Sequence, residues 1–445
     1  MDAKELYAKY LITSMVAGFE PVVVERAAGC TVTGADGRRY LDCFSGIAVV
    51  NAGHGHPRVL AAAREQMEKA VHACTYVYYN PRAAELARRL AEVTPGALQK
   101  SFFGNSGAEA IEGAVRLAKQ FTKRRELVAL TASFHGRTAG TLSISGNRGR
   151  KKGFGPYLSG VAFTPAPYCY RCPLTLRYPA CGVACAEFLD HVLRYETAGD
   201  VAAFIAEPVL GEGGILVPPP EYFRIAVEIA RRDGALFIAD EVQSGFGRTG
   251  KLFAIEHYGV EPDILCMAKG IADGFPLSAF IARPDVADAF APGDHLSTFG
   301  GNPVSCAAAL ANLDVMLEEK LPEAAAERGA QLMQRLAGLK ETCPLIGDVR
   351  GKGLMIGVEL VRDARKTPAD AEAKEVRRRC REAGVLVGLG GVLGNVVRLQ
   401  PPLVISADEV ERAADALGQA LRQVRSLPPA DAAVTSGPCP PGASP

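Results

Sequence analysis

The chain has 445 residues, long enough for two domains and a large core. It is 48% hydrophobic and 22% charged, a soluble globular composition, and 50 Lys and Arg against 49 Asp and Glu leave a formal charge of +1, which argues against a polyanion partner such as nucleic acid. The first twenty residues scatter charge where a secretory leader has an apolar core, and no later apolar run nears the roughly 18 residues of a spanning helix, so a cytoplasmic protein with no membrane segment is expected, its 12 cysteines mostly thiols.

Residues 30–33 and 39–43, parted by Ala35-Asp36-Gly37, read as a β-hairpin. A glycine-rich crossing over 46–57 holds His54 and His56, which beside Gly and Pro are expected to satisfy loop backbone groups and not a metal. Helices are predicted over 58–71 and 81–93. A strand over 100–103 leads into Gly104-Asn105-Ser106-Gly107, where Ser106 and Glu109 match the S-x-x-E capping box and Ala110, Ile111, Ala114, Val115 and Ala118 follow at helical spacing. A glycine-lined helix start also offers unpaired N–H groups and a positive dipole end, which make a phosphate site; cap and phosphate compete for the same donors.

A strand over 126–131 ends in Ser133-Phe134-His135-Gly136-Arg137. Phe134 is either a ring for stacking on a cofactor or core packing, and Arg137 either faces a substrate carboxylate or makes a surface ion pair. Residues 153–200 read as less regular and carry Cys169, Cys172, Cys181 and Cys185 as C-x₂-C…C-x₃-C. The middle gap is short for zinc, no histidine is interleaved and no thioredoxin-like context surrounds the pair, so reduced thiols, a metal or iron–sulfur site and disulfides all stay open.

A strand over 203–207 is stopped by Pro208, and Glu212-Gly213-Gly214 follows. Two short apolar runs, 236–239 and 264–268, look like strands buried on both faces of a parallel sheet, and they end in Asp240 and Lys269. Ligands bind at that carboxyl edge. A carboxylate and an amine offered to one crevice suit pyridoxal phosphate: the lysine bonds the cofactor and the carboxylate keeps the pyridine nitrogen protonated. An ordinary ion pair is the competing reading. Between them Gly245-Phe246-Gly247-Arg248-Thr249-Gly250 reads G-x-G-x-x-G, the dinucleotide fingerprint, but residues 240–244 part it from the strand and no long helix opens on Gly250, so the match is taken as accidental.

Beyond Lys269 come a strand over 277–282, a polar turn over 297–303 and a long helix. From about residue 321 the pattern turns to helix, a strand over 351–358, a helix over 371–383 and the stretch Val396-Val397-Arg398-Leu399-Gln400-Pro401-Pro402, an α+β unit. The tail from Pro428 is Pro, Ala, Ser and Gly, and disorder is expected there.

Taken as a set and in order, GNSGAEA, FHGRT, EPVLGEGG, IADEVQSGFGRTG, MAKG, STFGGNP and the late arginine of VVRLQPP resemble the class III, ω-amino-acid aminotransferases over residues 19–426. The resemblance implies the α/β fold of the fold-type-I enzymes dependent on pyridoxal phosphate. A large domain over 61–325 would hold a mostly parallel seven-stranded sheet, and a smaller α+β domain would form from 1–60 and 326–427, with 428–445 as the tail. It implies that Lys269 carries the cofactor, Asp240 pairs with the pyridinium nitrogen, Gln243 lies beside the phenolic oxygen, Ser106 and Gly107 hold the phosphate and Phe134 stacks on the ring. Thr298 resembles the residue that reaches the phosphate of a neighbouring subunit, which implies a homodimer with shared active sites. Arg398 resembles the arginine that binds the α-carboxylate of glutamate or 2-oxoglutarate.

The 4-aminobutyrate aminotransferases of the family carry Ile, Arg and Glu where this chain has Ile47, Arg137 and Glu212. By that resemblance Glu212 pairs with Arg398 for a donor without an α-carboxylate and releases it for glutamate, Arg137 faces the distal carboxylate, and Ile47 suits a substrate apolar at the α position. The expected reaction moves the terminal amino group of 4-aminobutyrate or a related ω-amino acid to 2-oxoglutarate. Acetylornithine or ornithine-type aminotransferases and pyridoxal-phosphate-dependent racemases share nearly the same motifs and are the alternatives, with an NAD-dependent oxidoreductase more remote.

Overall fold

Three antiparallel strands open the chain: β1 (Val24–Ala28), β2 (Thr31–Gly34) and β3 (Arg39–Asp42). The computed structural model describes residues 2–12 and 20–425, so the tail expected to be disordered lies outside the described residues. The predicted hairpin is β2–β3. Strand β1 was illegible because its VERAA is largely exposed and carries no alternation.

Seven strands form the large sheet: β4 (Lys100–Gly104), β5 (Glu126–Leu130), β6 (Val161–Thr164), β7 (Val201–Ala206), β8 (Leu236–Asp240), β9 (Ile264–Met267) and β10 (Ser278–Ala282). Their order is β4-β10-β9-β8-β7-β5-β6, and only β10 runs antiparallel to its neighbours. Burial alternates along each central strand. Leu127, Ala129, Ile205, Ile238, Ile264 and Cys266 face one apolar layer, and Val128, Leu130, Phe204, Phe237, Leu265 and Met267 face the other. Each fully buried Leu, Ile, Val or Phe contributes about 1.5–3 kcal/mol. That two-sided burial is why these strands read as unbroken apolar runs. The helix Gly107–Thr122 covers one face with Ala110, Ile111, Ala114, Leu117 and Ala118.

Four further strands build an antiparallel sheet in the order β11-β12-β15-β14: β11 (Ile346–Lys352), β12 (Met355–Leu360), β14 (Gly388–Gly390) and β15 (Val396–Leu399). The single strand expected over 351–358 is instead a hairpin, turned at Gly353 with φ +53°. A Cβ there would stand 2.4 Å from the Thr249 carbonyl carbon, so only glycine fits. Strand β13 (Val385–Leu386) pairs parallel with β3, which joins the two ends of the chain in one sheet. Both expected domain boundaries fall inside helices, Pro57–Lys69 and Leu321–Thr342. The stretch expected to be irregular, 153–200, contains β6 and the helix Ala184–Tyr195.

The G-x-G-x-x-G segment makes a packed turn. Arg248 in its middle is fully buried and donates to Asn51 Oδ1 and to the carbonyls of Leu354 and Pro401, tying the large sheet to both ends of the chain. His54 and His56 meet the carboxylates of Asp42 (2.8 Å) and Glu319 (3.6 Å), not loop backbone as expected.

Glu241, completely buried, accepts from Ser244 Oγ and the Ile255 N–H, and burial pushes its carboxyl up to about 7. The folded chain therefore holds a proton there that the unfolded chain releases near pH 4.5, so this group subtracts stability as pH rises from about 4.5 to about 7. Glu241→Gln is expected to flatten that part of the decline in unfolding free energy, measured by urea titration across the window; an unchanged slope contradicts the assignment.

Candidate active site

Because β8 and β9 are parallel neighbours, with Asp240 in register with Cys266, Asp240 and the residue three beyond Cys266 emerge at one sheet edge. That residue is Lys269. A pocket of about 600 Å³ opens there, lined by residues that follow β4 (Ser106, Gly107), β5 (Phe134, Arg137), β7 (Glu207, Glu212), β8 (Asp240, Gln243) and β9 (Lys269).

Lys269 is held at φ +46°, the left-handed region that costs a side-chain-bearing residue of order 1–3 kcal/mol and is found at functional sites. Burial pulls its ammonium below the usual lysine range, while Glu212, Asp240 and Glu207 pull the other way. Asp240 is 3% exposed; its Oδ2 lies 2.7 Å from His135 Nδ1 and its Oδ1 accepts from the Val242 N–H. His135 Nε2 is buried and has no partner among the described residues. Glu207 accepts from the Phe134 and Gly211 N–H groups, and burial, with the Asp240 charge beside it, pushes its carboxyl up to about 7.

At the helix start, Ser106 Oγ accepts from the Glu109 N–H at 3.3 Å. The box is incomplete: the Glu109 carboxylate takes the Asn105 N–H and the Ser106 hydroxyl instead of the Ser106 N–H. The N–H groups of Gly107 and Ala108, both lining the pocket, have no acceptor among the described residues. The cap thus uses a donor other than these two N–H groups and leaves them open, so it does not compete for them as expected.

Burial alone would raise Glu212, but two guanidiniums hold its carboxylate down at about 2: Arg398 Nη1 lies 2.6 Å from Oε1, and Arg150 Nη2 lies 2.8 Å from Oε2. Arg398 reaches it from β15, with its guanidinium 5.2 Å over the Phe44 ring. Gln243 accepts from Gln400 Nε2 at 3.1 Å. Arg137 is exposed on the pocket wall and makes no ion pair among the described residues, so the surface-pair alternative is not what this chain shows.

Three expected residues do not line this pocket: Ile47, Thr298 and Arg398, the last of which reaches it through Glu212. Ile47 sits 39% exposed in a left-handed turn running from Ser45 to Ala48, and Val49 reaches the pocket in its place. Thr298 is exposed on the turn before the helix Pro303–Glu318. Cys169, Cys172, Cys181 and Cys185 gather round a separate small cavity with Tyr178 and Pro219, and all four are free thiols. Among the described residues no group of three or more His, Cys, Asp or Glu side chains is arranged to hold a metal ion, and no helix is long and apolar enough to cross a membrane. Sequence reasoning missed Glu207, although it is the first polar residue beyond an apolar strand, the signal that singled out Asp240, and it missed His135, which lies five residues beyond β5 after Thr131 and Ser133. It also missed Arg150, which sits in the basic run 148–152 and reads as a solvated charge.

The family model described as "Aminotransferase class-III" matches residues 14–421. The chain is 40% identical to an acetylornithine aminotransferase of Methanothermobacter thermautotrophicus, over 95% of this chain and 99% of that one. It is 40% identical to a leucine/methionine racemase of Thermococcus litoralis (94% and 95%) and 38% identical to a 4-aminobutyrate aminotransferase of Mycobacterium leprae (90% and 91%). Among solved structures, an amine transaminase from an uncultivated Pseudomonas species, in its PLP-bound form, superposes with a TM-score of 0.88 at 36% identity, covering 94% of this chain and 99% of that one.

The pocket wall is tightly built at Gly211, where an added Cβ would fall 2.1 Å from Gln243 Oε1. Gly211→Ala is expected to force Gln243 off Gln400 and to destabilise the fold by about 1–3 kcal/mol in denaturant unfolding; wild-type stability would show that the wall yields freely.

Proposed function

The chain belongs to the class III aminotransferases, enzymes that work with pyridoxal phosphate, and on that premise we propose that it moves the terminal amino group of 4-aminobutyrate or a related ω-amino acid to 2-oxoglutarate. The observation that carries this reading is the buried Glu212–Arg398 pair at 2.6 Å beside Lys269. A donor with no α-carboxylate leaves the pair closed and its charges mutually satisfied. A substrate with one competes with Glu212 for Arg398, whose planar fork matches a carboxylate. Arg137, unpaired on the pocket wall, is then the cation for the distal carboxylate.

The residues present fit the cofactor. The free Gly107 and Ala108 N–H groups at a helix start suit a phosphate, with Ser106 beside them, and Phe134 offers a ring face on the pocket wall. The buried Asp240 carboxylate suits a protonated pyridine nitrogen, with Gln243 nearby. When bound, pyridoxal phosphate supplies the electron sink for the pair left when the substrate C–H bond breaks. Lys269 Nζ removes that proton and returns it, a task its lowered basicity favours. His135 holds Asp240 in place through the 2.7 Å contact.

The same reading includes a homodimer. Thr298 stands away from this chain's own pocket, where it would serve a partner's phosphate, and Leu296 and Phe299 beside it are 59% and 62% exposed, the apolar surface an interface would cover. It also includes the division into a large domain and a small one from both ends, with the boundaries moved off 60/61 and 325/326 to the turns before the two helices that contain them.

The racemase reading is favoured by one specific likeness, the 40% identity to the Thermococcus litoralis enzyme. A panel of amino donors against 2-oxoglutarate and pyruvate separates the readings. Glutamate formed fastest from 4-aminobutyrate or another ω-amino acid is expected. Preference for acetylornithine or ornithine transfers the protein to the acetylornithine or ornithine-type alternative, and loss of optical activity from one amino-acid enantiomer with no keto acid consumed contradicts the proposal. Lys269→Ala is expected to lower turnover by at least about 10³-fold in the same assay, and retention of full activity would sink the role given to that amine.

A further inference from the structure

Glu212 is held from two sides, and only one of its partners belongs to the switch described above. Arg398 Nη1 reaches Oε1 at 2.6 Å, and Arg150 Nη2 reaches Oε2 at 2.8 Å from the short helix Arg148–Lys151. Glu212 is 9% exposed, whereas Arg150 is about half exposed, at 46% of its side chain. The Arg150 guanidinium also stands 5.8 Å over the ring of Phe134, a residue that lines the pocket, a second contact that favours its place beside Glu212.

The asymmetry matters when Arg398 turns to a substrate. A carboxylate stranded in a buried site is costly, and breaking its pair exposes that cost in full. With Arg150 present, Glu212 passes from two cations to one. Without it, Glu212 would lose its last guanidinium, with neither carboxylate oxygen hydrogen-bonded to a cation, and opening the gate would be opposed by most of the desolvation of the carboxylate.

We propose that Arg150 is the counter-charge that lets Glu212 release Arg398, and is therefore a positioning residue that sets how well this pocket accepts substrates with two carboxylates. The proposal rests on the reading of Glu212 and Arg398 as a carboxylate gate. Its selectivity is specific: losing Arg150 weakens ligands that open the gate and spares those that leave it closed. A residue that merely braced the fold would weaken both.

The test uses holoenzyme and two unreactive probes, glutarate with two carboxylates and butyrate with one, with dissociation constants read from the change in cofactor absorbance. Arg150→Met is expected to weaken glutarate about ten-fold and butyrate less than two-fold, and Arg150→Lys to recover most of the glutarate affinity. In a Glu212→Gln background, where no charge is left to strand, Arg150→Met is expected to change glutarate affinity less than two-fold. Equal weakening of both probes, no weakening of glutarate, or an Arg150 effect that persists with Glu212→Gln overturns the proposal. Arg398→Met separates the two levels. Glutarate affinity indifferent to Arg398 removes the gate and this proposal with it, whereas affinity that needs Arg398 and not Arg150 leaves the gate and removes only the proposal. Failure of 4-aminobutyrate in the donor panel would instead touch the choice of amine alone.

Discussion

Burying an amine is the constraint on which the rest of this structure depends. Lys269 sits where desolvation disfavours its charged form, and a lone cation in such a place would cost several kcal/mol. Three carboxylates, Glu212, Asp240 and Glu207, stand near enough to offset that cost, and Arg398 limits the offset. The balance leaves an amine less basic than free lysine, which is the form that attacks a carbonyl and carries protons near neutral pH. Each carboxylate is in turn fixed elsewhere: Asp240 by His135 and the Val242 N–H, Glu207 by the Phe134 and Gly211 N–H groups, Glu212 by two arginines. The strained backbone at Lys269 persists because β8, β9 and the helix Pro303–Glu318, whose Asn312 donates to the Gly270 and Ile271 carbonyls, hold it from both sides.

The parallel sheet is what makes this arrangement available. Five strands deliver their carboxyl ends to one edge, so groups distant in sequence arrive within one pocket without long loops to position them. On the proposed reading, chemistry and selectivity are divided by position. Asp240 and Lys269 come from the centre of the sheet, whereas Arg398 is brought in by β15 of a different sheet and Arg150 by a short helix at the pocket's side. Parts that come from outside the central sheet can change without disturbing the chemistry, which fits the spread of activities named among relatives of about 40% identity.

Much of this was legible in the sequence. The central strands announced themselves because two-sided burial leaves no polar residue until the strand ends, so Asp240 and Lys269 stood out as the first exceptions. By the same rule Glu207 was within reach, whereas His135 follows Thr131 and Ser133 beyond its strand and was not. Other features left no local trace. Strand β1 is exposed and has no alternation; the first strand of the hairpin at Gly353 hides because IGDVRGK is mostly polar and only half-buried; and Arg150 looks like any basic surface residue until Glu212 is seen 2.8 Å away. Ile47 and Thr298 were placed by resemblance, Ile47 to a substrate-side residue and Thr298 to one that serves a neighbouring subunit, and within one chain neither lines the pocket.

The central claim is that Lys269, facing Asp240 across the edge between β8 and β9, is the amine that carries the cofactor. Reduction of the holoenzyme with borohydride fixes the cofactor to whichever lysine holds it, and digestion followed by mass spectrometry reads its position. A single labelled peptide, modified at Lys269, is the expected result. Label at any other lysine, or a holoenzyme spectrum that borohydride leaves unchanged, would contradict the account at its base.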